Sequence, residues 1–214
     1  MKRRMAALLL CLLLVFACTG CGGFDAGSYV KAVMDNFYLD ESAAYTEIVD
    51  TTAQQAHEVY MNGLTIEAQI FYTYMSFDAE DVDEQTAQRV VDLYSRAYKH
   101  AKYDVGQAQK GKDGYTVAVR VYPIDLFDQA MDELNAYVSD FHEALANGDY
   151  TGKSEEEISA EYQNQVLSIV EAHVDTIGYR DPVELTVQLK KDANGAWGMG
   201  DEAFQSIDEQ IIGY

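Results

Sequence analysis

Two stretches of period-two alternation constrain this chain more than anything else in it. In KYDVGQAQKGKDGYTVAVRVYP, Val117, Val119 and Val121 share one face beside a Gly/Asp turn. In DPVELTVQLKKDANGAWGM, Val183, Leu185, Val187 and Leu189 do the same ahead of Asn194-Gly195. Alternation of this kind marks a half-buried strand, and each stretch reads as a hairpin. An isolated hairpin is marginal in water, so the two are expected to join into one four-stranded antiparallel sheet.

Between and around the hairpins the period is helical. SYVKAVMDNFYLD places Tyr29, Val30, Val33 and Phe37 on one stripe. Asp40 or Ser42 caps a short helix through Val49, and Thr51 and Thr52, each with Gln three residues on, open a long one. That helix carries Ala56, Tyr60, Leu64, Phe71 and Met75. Asp81 with Glu84 opens a fourth, with Val90, Leu93, Tyr94, Ala97 and Tyr98. Asp125 caps a helix through Leu145 that Asn147-Gly148 ends. Ser154 with Glu157 opens another to Ile177, and a closing helix holds Phe204, Ile207 and Ile211. The expected fold class is α+β: helices packed on one face of a four-stranded antiparallel sheet made of two hairpins. A two-helix insertion separates the hairpins, and residues 29–214 form a single domain.

The N-terminus reads MKRRMAALLLCLLLVFACTGC. Lys2, Arg3 and Arg4 precede an apolar run from Met5 to Phe16, twelve residues long. A membrane span needs about 20 residues, so residues 1–20 read as the signal peptide of an exported protein. Small residues then run into cysteine, which resembles the lipobox of bacterial lipoproteins. In that family the cysteine is joined to diacylglycerol and the signal is cut before it. Cys18-Thr19-Gly20-Cys21 favours Cys21, because Thr19 and Gly20 are small; Cys18 is the alternative register, with bulky Phe16 against it. Cleavage before Cys21 removes Cys11 and Cys18, leaving a mature domain without a disulfide that must rest on its core. Residues 21–28 read as the lipidated cysteine and a short tether, whose seven residues Gly22–Ser28 span at most about 25 Å.

Charge excludes one class of partner. The chain has 15 basic and 36 acidic residues, a net of −21, and −24 without Lys2, Arg3 and Arg4. Nucleic acid is bound through neutralised phosphates, so no nucleic-acid partner is expected.

Candidate sites are few. His57, His100, His142 and His173 fall in four different helices with no HExxH spacing, and no zinc site is expected. Asp78, Glu80, Asp81, Asp83 and Glu84 are oxygen donors for a candidate Ca²⁺ site, but EF-hand spacing is absent and acids also favour a helix N-terminus. No G-x-S-x-G or phosphate-binding glycine loop occurs, and no S-x-x-K is followed by its partner motifs, so neither enzyme activity nor a cofactor is expected. Sixteen Tyr, eight Phe and one Trp remain. Most sit on helix stripes as core, whereas Tyr115, Tyr122 and Trp197 on the strands could line a pocket on the concave face of the sheet.

SYVKAVMDNFYLDESAAY, followed by the tyrosine-led hairpin AKYDVGQAQKGKDGYTVAVRVYPI, more helices and a final hairpin, resembles uncharacterised lipoproteins of Gram-positive, Clostridia-type bacteria. The layout is more distantly similar to the nuclear transport factor 2-like cone, from which the helical insertion Asp125 to Ile177 departs. The resemblance implies a lipid anchor on the outer face of the plasma membrane and offers no catalytic residues. Two readings follow: a non-enzymatic protein-interaction module of the envelope, or a small-ligand receptor using the concave face.

Overall fold

In the computed structural model, residues 24–193 and 195–213 are described. The elements run α1 (Ala26–Leu39), α2 (Ala43–Val49), α3 (Ala53–Tyr74), α4 (Glu84–Tyr98), β1 (Lys102–Lys110), β2 (Tyr115–Tyr122), α5 (Leu126–Asn147), α6 (Glu155–His173), β3 (Val183–Lys191), β4 (Trp197–Met199) and α7 (Asp201–Ile211). A 3₁₀ turn, Val174–Thr176, follows α6. The sheet order is β1-β2-β3-β4, antiparallel throughout, so the two hairpins meet at β2 and β3. The fold is α+β, with α5 and α6 inserted between the hairpins. Among the described residues no helix is long and apolar enough to cross a membrane.

The chain divides into two compact units. The first takes the described part of Met1–Met61 with Ala101–Pro123 and Asp181–Ile211; the second takes Asn62–His100, Ile124–Arg180 and the described part of Ile212–Tyr214. Both draw on α3.

The first unit holds the whole sheet with α1 and α7 packed against it. Alternation decides which face they cover. Val117, Val119, Val121, Val187 and Leu189 are buried, while Ala118, Arg120, Glu184, Thr186 and Gln188 between them are exposed. Each buried Val or Leu side chain stabilises the fold by about 1.5–3 kcal/mol, far more than the exposed Arg120–Glu184 pair across β2 and β3. One bulge interrupts the ladder: Gly106 and Gln107 of β1 stand opposite Ala118 alone. At that bulge α1 comes close, since a Cβ on Gly27 would lie 3.1 Å from the Gly106 carbonyl oxygen. The turn into β2 depends on Gly114, whose φ is +150° and where a Cβ would sit 2.1 Å from the Leu189 carbonyl oxygen.

Several caps fall where the sequence places them, and others move. Thr52 and Gln55 exchange the two bonds of a capping box at 3.1 and 3.2 Å, as do Ser154 and Glu157 at 2.8 and 3.2 Å. Asp83, not Asp81, caps α4, accepting from the Thr86 amide at 2.6 Å. Asp40 is left-handed at the C-terminus of α1, so it ends one helix rather than opening the next. Asp125 precedes α5 without a cap bond, and its carboxylate instead accepts from the Gly178 amide at 2.7 Å. The first helix begins earlier than expected: Asp25 caps it by accepting from the Gly27 and Ser28 amides, so Ala26, Gly27 and Ser28 lie in α1 rather than in a tether.

The second unit is helical. Phe71 is its central ring, meeting Phe77 at 5.6 Å, Tyr94 at 6.2 Å and Phe127 at 6.4 Å. Arg89 ties α4 to α6, donating to both Glu171 oxygens at 3.2 and 2.7 Å and to Asn164 at 2.7 Å, the bidentate geometry that makes such a pair worth more than a casual one.

In the first unit the Tyr103 hydroxyl donates to Asp35 Oδ1 at 2.9 Å, and Lys31 pairs with the same carboxylate. Burial, then the Asp35 charge, push the Tyr103 phenol well above the ordinary tyrosine range. A phenol whose pKa is raised on folding contributes stability below its unfolded value of about 10, and loses it as pH climbs toward the folded value. Urea midpoints measured from pH 7 to 11 are expected to fall from about pH 10 upward. Tyr103→Phe should be about 1–2 kcal/mol less stable at pH 7 and fall less steeply above pH 10; parallel curves would refute the assignment.

Candidate functional site

The chain enters its first unit through an aromatic cluster at the turn end of the sheet. The Phe24 ring lies flat on Trp197, with centroids 5.4 Å apart and planes 11° apart. It also meets Tyr29 at 5.5 Å and Tyr115 at 5.6 Å. Tyr115 meets Trp197 edge-on at 4.9 Å, and the Lys191 ammonium stands 5.2 Å from the Trp197 ring centre. Strand register brings this about: Lys110 pairs with Tyr115, Tyr115 with Leu189, Leu189 with Met199, and Lys191 with Trp197. Tyr115 and Trp197 therefore lie on the face that α1 covers. Burial of Tyr29 beneath this cluster pushes its phenol up.

Of the three residues expected around a pocket, the structure brings Tyr115 and Trp197 together and leaves Tyr122 apart. Tyr122 is seven positions from Tyr115, an odd separation, so it points to the opposite face. There its hydroxyl donates to Asp104 at 2.9 Å and Lys102 lies 4.4 Å from its ring centre. Tyr115 and Trp197 pack on Phe24 and on each other, so they line no shared cavity with Tyr122.

Open space occurs elsewhere. In the first unit a cleft of about 500 Å³ runs beside β3 and the start of α7, bordered by Gln188, Lys190, Lys191, Asp192, Glu202 and Ser206. In the second unit a cleft of about 460 Å³ lies between α5 and α6, lined by Val138, Phe141, Leu145, Ile158 and Tyr162, with His142 and Glu155 at its rim. Beneath it Tyr162 stacks on Tyr137 at 6.0 Å and meets Phe141 at 4.9 Å. Leu145 is 39% exposed. The Tyr137 hydroxyl is buried with no hydrogen-bond partner among the described residues, and burial with Tyr150 and Glu161 nearby pushes it up to about 12.

The acidic segment is largely used locally. Asp78 accepts from the Glu80 amide at 3.1 Å, Asp83 caps α4, and Glu84 sits in its first turn. The bond from the Thr86 amide lowers the Asp83 carboxyl. His57 Nδ1 is 3.0 Å from Asp40, and His173 Nε2 is 3.5 Å from Glu133. Among the described residues no three His, Cys, Asp or Glu side chains converge on a point where a metal ion could sit. Cys18 and Cys21 lie outside the described residues, and so does Asn194 of the second turn. Gly195 of that turn has φ +85°, and the Asp192 amide closes it by donating to the Ala196 carbonyl at 2.8 Å.

No family model matches the chain, and no curated protein matches it either. Among solved structures it is similar to "a putative lipoprotein (ycdA)" from Bacillus subtilis, with a TM-score of 0.61 and 14% sequence identity. The match covers 89% of this chain and 56% of that one, so the chain spans little more than half of that protein's length. At this identity the likeness shows a shared fold. It gives nothing for the nuclear transport factor 2-like cone.

Trp197 is the sole tryptophan, so its fluorescence reports on the cluster alone. Phe24→Ala is expected to shift its emission to the red and to lower stability by roughly 1–2 kcal/mol, the loss of a partly buried ring and its stacking. Tyr122→Ala, on the other face, should leave the emission where it is. Equal shifts in both variants would show that the faces are coupled.

Proposed function

We propose that this chain is a lipid-anchored extracytoplasmic protein on the outer face of a Gram-positive plasma membrane, and that it is a non-enzymatic module for binding another envelope protein. The observation that carries the binding role is the α5–α6 cleft. It is open and lined by Val138, Phe141, Leu145 and Ile158, and Leu145 stands exposed at its edge. Apolar surface left open in this way is a common mark of a protein contact. The receptor reading has less support, since Tyr115 and Trp197 pack against Phe24. The anchor is supported by the resemblance of Cys18-Thr19-Gly20-Cys21 to a lipobox and by the fold shared with a protein described as a lipoprotein. Diacylglycerol on Cys21 supplies two acyl chains, enough for stable attachment without a spanning helix.

Two measurements test the two halves. Expressed in a Gram-positive host, the wild-type chain and Cys18→Ser should take up labelled palmitate and enter the detergent phase, while Cys21→Ser should do neither. The reverse result moves the anchor to Cys18, and an absence of uptake by the wild type and both variants removes the anchor. With a photo-crosslinking amino acid in place of Leu145, irradiated cells should give one discrete protein adduct that Val138→Asp abolishes. A membrane-attached chain that gives no adduct would refute the binding role of this cleft.

A further inference from the structure

The sheet's turn end gathers three features that have no common structural need: the entry of the chain, the sole tryptophan, and lysines without carboxylate partners. Phe24 is stacked on Trp197, and only Gly22 and Gly23 separate it from Cys21. Three residues of extended chain reach about 10 Å, so a lipid on Cys21 holds this end within about that distance of the headgroups. With Cys18 as the anchor the reach is about 20 Å.

The distribution of positive charge points the same way. Outside the signal segment the sequence has twelve basic residues. Six are paired with carboxylates: Lys31, Arg89, Arg96, Arg120, Lys153 and Arg180. Of the remaining six, Lys110, Lys112, Lys190 and Lys191 lie on the two turns at this end, all exposed and with no carboxylate partner among the described residues. The β1–β2 turn and Lys190 border one small depression, which places the two turns side by side. Asp113 and Asp192 share the turns, Asp25 caps α1 next to Phe24, and Asp201 and Glu202 open α7. In a chain of net charge −21, this is where cations gather.

We infer that the turn end of the sheet is a membrane-docking face, with Lys110, Lys112, Lys190 and Lys191 on anionic phospholipid headgroups and the Phe24–Trp197 stack beside them at the interface. The inference rests on the lipid anchor proposed above. Tryptophan and tyrosine favour the headgroup layer, and basic side chains near an anionic surface are drawn to it within a Debye length of about 8 Å. The rest of the chain, far more acidic, is repelled by the same surface, so a short lipid tether and the outward-facing lysines together fix which way the module faces.

The test uses the full acylated chain, reconstituted into vesicles of phosphatidylcholine alone or with roughly a third phosphatidylglycerol, each containing bromine-labelled lipid. Trp197 quenching is expected to be about threefold stronger on the anionic vesicles and to fall to the neutral level in 0.5 M salt, as screening requires. Lys110→Glu/Lys112→Glu/Lys190→Glu should abolish the difference, and the matching Lys→Arg variant should retain it. If the wild type floats with both vesicles but quenching is the same on each, the anchor stands and the docking face is overturned. A chain that floats with neither overturns both. Cross-linking of two copies through Lys190, without lipid quenching, would make this a self-association surface and refute the inference.

Discussion

The passage of α1 over the bulge in β1 sets the rest of the first unit. Gly106 and Gln107 oppose a single residue there, and the strand bends. Gly27 has no side chain to hold the helix away; a Cβ would lie 3.1 Å from the Gly106 carbonyl oxygen. Pinned at that point, a helix rising 1.5 Å per residue carries Asp35 about 12 Å further along. Three strand residues back from Gly106, about 10 Å, is Tyr103, and the two side chains meet at 2.9 Å. In the other direction the same pin leaves Phe24 over Trp197. One close contact thus fixes both the half-buried Tyr103–Asp35 pair and the entry of the chain.

What the sequence makes legible is what is local. Period two gave both hairpins and the buried face, because Val117 to Val121 and Val183 to Leu189 alternate without a break. The capping boxes at Thr52 and Ser154 were readable because donor and acceptor lie three residues apart. The cap of α4 was misplaced because DAEDVDEQ offers acids two residues apart, and only Asp83 reaches the Thr86 amide. Phe24 had no local signal at all. Its partner Trp197 is far along the chain, so glycines on one side made it look like tether. Tyr122 is a different case: its odd separation from Tyr115 already assigned it to the other face, and the strand alternation that placed the valines placed it too.

The acidity of the chain is partly structural. Asp25 and Asp83 cap helices, Glu157 closes a capping box, and Glu155 and Glu156 stand in the first turn of α6, where the helix macrodipole favours negative charge. Glu171 and Asp175 meet Arg89 and Arg96 of α4. The carboxylate pairs take up cations from across the sequence, so the turns of the sheet are left as the place where lysines face outward together.

Two aromatic groups in this protein have opposite fates, and composition could not distinguish them. Around Trp197 the rings close on one another: Phe24 covers one face, Tyr115 meets an edge, and Lys191 stands over the ring. Between α5 and α6, Phe141 meets Tyr137, Tyr150 and Tyr162, yet Leu145 of the same cleft stays exposed. The difference lies in how each helix ends. α1 starts on the sheet, and the residues just before it supply the missing ring. α5 instead stops at left-handed Gly148, and the chain turns through exposed Gly152 and Ser154 before α6 begins; the ring of this loop, Tyr150, packs on Phe141, and Leu145 stays 39% exposed. The first group is closed over by its own chain, and the second keeps an open edge at Leu145.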